Sequence, residues 1–237
     1  MKRFLLTIVA LLSLTQLSAQ IEMTTTSSSP IKQWTGEFNT IDVDAPIKLK
    51  LKKCNENQGS YIIYDTKGDY TSKFTAEVSK DKVLKIRERS DSKRETITEV
   101  EVYYDTLTDI RIAKADATIE GVLVANLLDI DISNNAHFIA QIEAKDLIIN
   151  ITGKCCVTLS GKSLYQTASV STAEYNALNL SSVSTVVSAS HNASVKVDAT
   201  QRLQAETATG GTVSYKSLPE ILRIYIPLFG GEIKRIN

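Results

Sequence analysis

The chain has 237 residues, 43% of them hydrophobic and 23% charged, and its 27 basic and 27 acidic side chains cancel. A neutral chain lacks the basic field that draws in nucleic acid, so that class of partner is excluded. The length is enough for one sizeable hydrophobic core or two small ones.

The first element is a leader. MKRFLLTIVALLSLTQLSAQ sets Lys2 and Arg3 before an apolar run from Phe4 to about Leu14, with Ser18 and Ala19 just before Gln20. That order is the layout of a secretory signal peptide over residues 1–19. The run is shorter than the roughly 20 residues a membrane-spanning helix needs, and no later segment is apolar enough to span a bilayer, so membrane insertion is not expected. No cysteine stands near the cleavage point to carry a lipid anchor. QIEMTTTSSSP follows, rich in Thr and Ser with little to bury, which predicts a flexible linker over 20–32 and one domain over 33–237.

From Gln33 helical periodicity is almost absent. Alternating runs such as Ile47-x-Leu49-x-Leu51, Leu84-x-Ile86 and Val100-x-Val102-x-Tyr104 predict strands with one face in and one face out. Polar breaks (CNENQGS, TKGDY, SKDK, RSDSKRE) separate them, so 33–106 reads as a β-rich N-terminal part.

Beyond Leu107 four-residue breaks recur every 18–20 residues: KADA at Lys114, NNAH at Asn134, GKCC at Gly153, AEYN at Ala173, HNAS at His191, TGGT at Thr209 and FGGE at Phe229. Ile110, Ile130, Ile149, Val187, Ala205 and Tyr225 stand four before them, and Ile112, Ile132, Ile151, Ala189, Thr207 and Pro227 two before. The fourth unit slips by one, and Val170 and Thr172 fit its frame better. Directly after the breaks come Thr118, Phe138, Val157, Ala177, Val195, Val213 and Ile233. A period near 20 with two short strands per unit marks a β-solenoid over 107–237. Stacking the coils about 4.8 Å apart lines up like residues and gives each inward face a neighbour. The coil corners need tight turns, which assigns Gly210, Gly211, Gly230 and Gly231 to corners, with Asp116, Asn134, Asn135 and Asn192 in the same role elsewhere. Pro219 ends a strand because it has no N–H for the ladder. An antiparallel sandwich would favour Asn-Gly or Asp-Gly hairpins, and the chain has neither.

Several motifs are candidates for chemistry. Cys156 to Ser163, CVTLSGKS, approaches a phosphate loop but has Cys156 for the first glycine and no helix pattern after it. Asp42/Asp44 and Asp129/Asp131 share a strand face in pairs, but alternation with inward Ile41, Val43, Ile130 and Ile132 turns them to solvent. His137 and His191 fall three coils apart, roughly 14 Å, too far to share a metal. Cys155 and Cys156 point to opposite faces, so at most one could meet Cys54, and the three read as small buried hydrophobes. No catalytic, metal or cofactor residues are assigned. The Ser/Thr-rich run Ser169–Thr200 offers either a hydroxyl array for sugar or ordinary cross-coil hydrogen bonding. Asp105-Thr106-Leu107 resembles an O-glycosylation acceptor of secreted Bacteroidetes proteins.

Three stretches carry a family resemblance. FNTIDVDAPIKLKL (38–51), VEVYYDTLTDIRIAKADATIEG (100–121) and TGGTVSYKSLP (209–219) stand in the order of the head GIN domain family, described as auto-transporter adhesins common in exported Bacteroidetes proteins. Gly210, Gly211, Tyr215 and Pro219 match that family's closing Gly-Ser-Gly-x-x-x-Tyr-x-Gly-x-Pro element, while its Ser-Gly-Ser corners are here mostly KAD, NNA, KCC, EYN and HNA. The resemblance implies a right-handed parallel β-helix at the cell surface or in the periplasm. The expected function is a non-catalytic envelope module that binds a glycan or a cell-surface protein. The rival readings are a polysaccharide-active β-helix enzyme, which rests on fold analogy alone, and a structural protein that associates with copies of itself.

Overall fold

The structure, a computed structural model, describes residues 29–55, 58–68, 73–89, 95–227 and 229–236. The expected signal peptide and the linker up to residue 28 lie outside them. Among the described residues the first strand is β1, Ile31–Trp34, which starts inside the stretch expected as linker, because Ile31 to Trp34 pair antiparallel with Tyr64 to Tyr61.

The chain winds into a β-solenoid of about seven turns, 69% strand with no helix among the described residues. Each turn has two walls facing a common core. Strands β2 (Thr40–Asp44) and β3 (Lys48–Lys53) supply one turn, β2 on the second wall and β3 on the first. After β4 (Tyr61–Asp65) and β5 (Phe74–Val78) come a second-wall strand β6 (Val83–Glu88), a first-wall strand β7 (Glu99–Tyr104) and a second-wall strand β8 (Asp109–Ala113). Five long strands follow, each running along the first wall, bending, and continuing along the second. They are β9 (Asp116–Ser133), β10 (His137–Thr152), β11 (Cys156–Ser171), β12 (Glu174–Ser190) and β13 (Ser194–Thr207). Finally β14 (Thr212–Tyr215) and β16 (Glu232–Arg235) stack on the first wall and β15 (Ile221–Tyr225) on the second.

The β-rich N-terminal part is built into the solenoid. β2 lies between β6 and β8, and β3 between β7 and β9, all parallel. The turn earliest in sequence is therefore second in space, and β6–β7 is outermost. Antiparallel strands close that end: β4 and then β1 cover β7, and β5 covers β6. Such a cap hides edges that would otherwise template pairing.

Side-chain alternation explains the walls. β10 alternates exposed and buried residues until Lys145 and Asp146, both exposed, shift the phase so that Leu147, Ile149 and Ile151 again face inward around the bend. The inward rows are continuous: Ile130–Ile149–Ala168–Val187–Ala205 on the second wall and Phe138–Val157–Tyr175–Val195–Val213 on the first. The expected frame holds at most breaks and needs correction at three. Ala117 and not Thr118 partners Phe138, and Tyr175 and not Ala177 continues that row, because the turns before β9 and β12 are a residue or two shorter than four. In the slipped unit Ala168 and Val170 face inward, while Thr172 makes the corner at φ 58°. In the last unit Ile224, not Tyr225 or Pro227, continues the row from Ala205.

Corner chemistry is also more varied than glycine. Gly210 has φ +79°, as a tight corner demands, but Gly211 and Gly231 are required for a different reason: a Cβ there would stand 2.2 Å from the Ala189 carbonyl oxygen or 1.9 Å from that of Gly211. Gly230 meets neither constraint, since a Cβ there would make only ordinary contacts and its φ is not positive. Lys114, Asn134, Asn135, Lys154, His191 and Asn192 take positive φ at the other corners; Asp116 does not, because it already begins β9.

Where Ala168 thins the core, polar side chains complete it. Gln166 takes the place between Leu147 and Thr185 and is buried. Its Nε2 donates to the Tyr175 hydroxyl at 2.6 Å, and its Oε1 accepts from Ser182 at 2.9 Å, with Ser182 2.7 Å from Ser163. A buried polar group satisfied in this way escapes the cost of an unmade hydrogen bond. Burial also holds the Tyr175 phenol well above the usual tyrosine range, and burial together with nearby Cys54 pushes Tyr104 up to about 12. A phenol whose pKa rises on folding stabilises the protein below its unfolded pKa near 10, and that stability is lost as pH climbs through the folded value. Urea midpoints should therefore be flat from pH 7 to 9. Above pH 10 stability should fall by about 1.4 kcal/mol per pH unit for each buried tyrosine; a flat curve to pH 12 would contradict this.

Candidate functional site

The outward face of the first wall changes character towards the capped end. Strand register sets Trp34 (β1) beside Tyr61 (β4), Tyr61 beside Tyr103 (β7), Tyr103 beside Lys52 (β3), and Lys52 beside Glu120 (β9). The period of two in each strand puts all five side chains on one face. Trp34 and Tyr61 meet edge to face at 5.2 Å, and Tyr61 and Tyr103 stack at 4.3 Å with planes 12° apart. The Lys32 ammonium lies 3.9 Å from the Tyr61 ring centre and 4.4 Å from that of Trp34. Tyr61 is thus buried inside the row, while Trp34 at its end is 61% exposed.

Charges continue the row. Lys52 Nζ sits 2.9 Å from Glu101 and 3.3 Å from Glu120, and the Tyr103 hydroxyl donates to Glu101 at 2.9 Å. The Glu101 hydrogen bond, against opposing burial, raises the Lys52 pKa above the usual lysine value. Burial works to raise Glu101, but hydrogen bonds from Lys52 and Tyr103 outweigh it and hold that carboxyl low; burial and the bond to Glu101 lift Tyr103. A hollow of about 270 Å³ adjoins the row between Lys48, Lys50, Glu99 and Glu101. Lysines and glutamates alternate across it, so it offers hydrogen bonds of both kinds without the one-sided charge a polyanion requires. An exposed indole on a rigid backing can stack on the C–H face of a sugar ring, with flanking donors and acceptors for its hydroxyls.

The residues singled out in the sequence lie elsewhere. Gly210 and Gly211 form the corner after β13, Tyr215 is buried at the end of β14, Pro219 follows it, and Gly230 and Gly231 precede β16; the fold brings them to the end opposite the aromatic row. Gly161, Lys162 and Ser163 are part of strand β11, with Ser163 buried, so no phosphate-binding helix follows. Asp42 is paired with Arg87 and Asp44 with Lys114, each at 2.8 Å. Asp129, whose pKa burial and then Asp131 raise, lies beside Asp109. His137 flanks Cys156 and Asp116 on the first wall, and His191 is a corner residue whose Nδ1 meets Ser171 and Ser190 at 3.2 Å. All three cysteines are free: Cys155 is buried, as expected, but Cys156 is exposed because its neighbour takes the inward position, and Cys54 is half-buried. Among the described residues no group of three His, Cys, Asp or Glu could hold a metal. Ser182 and Thr185 of the hydroxyl-rich run turn inward to Gln166, leaving Ser169, Ser184 and Ser188 on the surface. Thr106 is exposed between β7 and β8.

The described residues thus form a parallel β-solenoid, capped at one end by antiparallel strands that carry an aromatic row. The sequence matches the family model "Putative auto-transporter adhesin, head GIN domain" over residues 37–219, so the chain belongs to the head GIN domain family. Membership in this adhesin-like family implies a surface or exported protein that binds some partner. Its fold is similar to that of a "putative adhesin" from Bacteroides fragilis, 19% identical with TM-score 0.79 over 88% of this chain and 96% of that one. A "putative adhesin" from Parabacteroides merdae (16% identical, TM-score 0.69) and a "putative lipid binding protein" from Parabacteroides distasonis (16%, 0.68) are similar over the same shares. No curated protein matches the sequence. Among the described residues no helix is long and apolar enough to cross a membrane.

Proposed function

We propose that this protein is a non-catalytic, exported adhesin-like module that binds a glycan on the aromatic row at its capped end. The observation that carries the reading is Trp34, the sole tryptophan, held 61% exposed at the end of a stack it shares with Tyr61 and Tyr103. Tryptophan and tyrosine are among the residue types enriched at binding hot spots, and an exposed indole backed by other rings offers such an anchor. The leader at residues 1–19 supports export. Binding rather than cleavage is favoured because the carboxylates beside the row, Glu99, Glu101 and Glu120, lie in ion pairs with Lys67 and Lys52, and Glu101 is held low where a glycosidase needs one carboxyl protonated as the acid.

The test is a glycan screen read two ways, by tryptophan fluorescence and by new reducing ends. A ligand should shift the emission of Trp34 without releasing reducing ends. Trp34→Ala should weaken retention on the same glycan by at least about tenfold, in the range of a hot-spot aromatic, with an unchanged melting curve. Reducing ends would move the protein to the enzyme class, and full retention by Trp34→Ala would remove the row from the reading.

A further inference from the structure

The end opposite the cap is built as a step. β16 stacks on β14 and starts a further turn on the first wall, while on the second wall β15 pairs only with β13 and, among the described residues, nothing lies over it. The level change is one strand, about 4.8 Å. Apolar side chains crowd the step: Ile221, Ile224, Tyr225 and Ile226 are exposed, and Phe229 is 86% exposed. Ile224 belongs to the inward row that runs back through Ala205 and Val187, yet half of it meets solvent. At the other end the protein covers the equivalent strands β6 and β7 with antiparallel partners from its own chain.

We infer that a second copy of this chain fills the step, the β16 strand of each copy lying over β15 of the other. A half-turn step is self-complementary. A two-fold axis running along the strands through the core exchanges the walls, so the raised half of one copy meets the lowered half of its partner. The same rotation reverses the sense of winding between copies, so each β15–β16 pair is antiparallel. The shared core then sets the register, since inward residues must face inward residues. Those are Leu222 and Ile224 on β15 and Ile233 on β16, judged by their partners Leu203, Ala205 and Val213.

Two registers satisfy this, and charge decides between them. With Ile233 opposite Ile224, Lys234 would oppose Arg223. With Ile233 opposite Leu222, Glu232 opposes Arg223, Arg235 opposes Glu220, and Phe229 meets Ile226. The second register sets Glu232 against Arg223 on the outward face of each junction and brings Phe229 onto Ile226, and the two-fold symmetry repeats it. Strand addition of this kind draws its affinity from main-chain hydrogen bonds and its specificity from alternate side chains. The interface is isologous and closes at two copies, so it builds no filament.

Sedimentation of the purified protein from about 1 µM to 1 mM, with a charge-reversal pair, tests this. The wild type should be a concentration-dependent dimer. Arg223→Glu, which faces Glu232 across both junctions, should raise the dimer dissociation constant on the order of tenfold or more. The combined Arg223→Glu and Glu232→Arg variant should restore dimerisation. Both positions are exposed on edge strands, and unchanged melting curves would show that the variants fold. A monomer throughout the range, mass rising without limit, a dimer indifferent to Arg223→Glu, or a swap that fails to restore it would each overturn the inference.

Discussion

Phe138→Ala is expected to destabilise the protein by about 3–5 kcal/mol, the range for removing a fully buried aromatic. Phe138 is wholly buried in the first-wall row between Ala117 and Val157. Ala117 is too small to collapse into the vacated space, and the coils on either side are held at strand spacing by their ladders, so the cavity stays open. Ile139, the next residue, faces out and is exposed. Ile139→Ala should therefore cost under about 1 kcal/mol. Urea denaturation of the two variants reads the register directly. A large loss for Ile139→Ala and a small one for Phe138→Ala would mean the wall is assigned to the wrong face.

Gly161→Ala carries the second large effect, about 2–5 kcal/mol when backbone strain and steric overlap are combined. Gly161 lies inside β11 opposite Ile142 of the adjacent coil, with φ +113°, and a Cβ there would lie 2.1 Å from the Ile142 carbonyl oxygen. Either the substituted chain moves off its neighbour, breaking ladder hydrogen bonds, or the overlap persists. Gly121 separates the two causes. It also has positive φ, +83°, but a Cβ added there would meet nothing within 4 Å, so Gly121→Ala should cost only the roughly 1–2 kcal/mol of the left-handed backbone. Equal losses at the two sites would show that coil-to-coil approach at Gly161 contributes nothing.

The solenoid was legible because its physics is repetitive. Ile110, Ile130 and Ile149 recur at the turn spacing and stack as like on like, and a row of that kind writes itself into the sequence as a period. The family resemblance at Phe38–Leu51 and Thr209–Pro219 falls within or against the span that the family model matches. Misreadings arose where the turn length changed. The corner before Tyr175 is shorter than a four-residue break, so Thr172, which looked inward, is the corner itself. Gly211 and Gly231 read as corner glycines, but a sequence does not distinguish a glycine needed for its dihedral from one needed because another backbone presses against it.

The aromatic row is not legible in the sequence for a different reason. Trp34, Tyr61, Tyr103 and Lys52 lie on four different strands and meet only through the antiparallel pairings of β1 with β4 and β4 with β7 and the parallel pairing of β7 with β3. Part of the signal was present. Lys48-x-Lys50-x-Lys52 and Glu99-x-Glu101-x-Tyr103 are the outward positions of strands whose inward positions are Leu49, Leu51, Val100 and Val102. Opposite charges on two outward faces suggest neighbours, but only the β3–β7 pairing makes them so. Gln166 was hidden likewise, since a lone glutamine among serines gives no sign that Tyr175 will reach it.

The interleaved order of the first turns has a consequence for how the chain acquires its shape. β2–β3 cannot be enclosed until residues 83–104 and 109–120 have both arrived, because its two neighbours come from those later segments. The early chain must therefore close long loops before any turn is complete, which is the slow kind of contact to make. From β9 onward the situation reverses: each new strand finds a finished edge directly behind it, one turn back in sequence, and propagation is local. The capped end thus acts as the nucleus and the repeats as its elongation phase. The slow loop closures all fall between residues 40 and 120, so the folding rate should depend on that stretch, and each later turn adds length and stability through a local step.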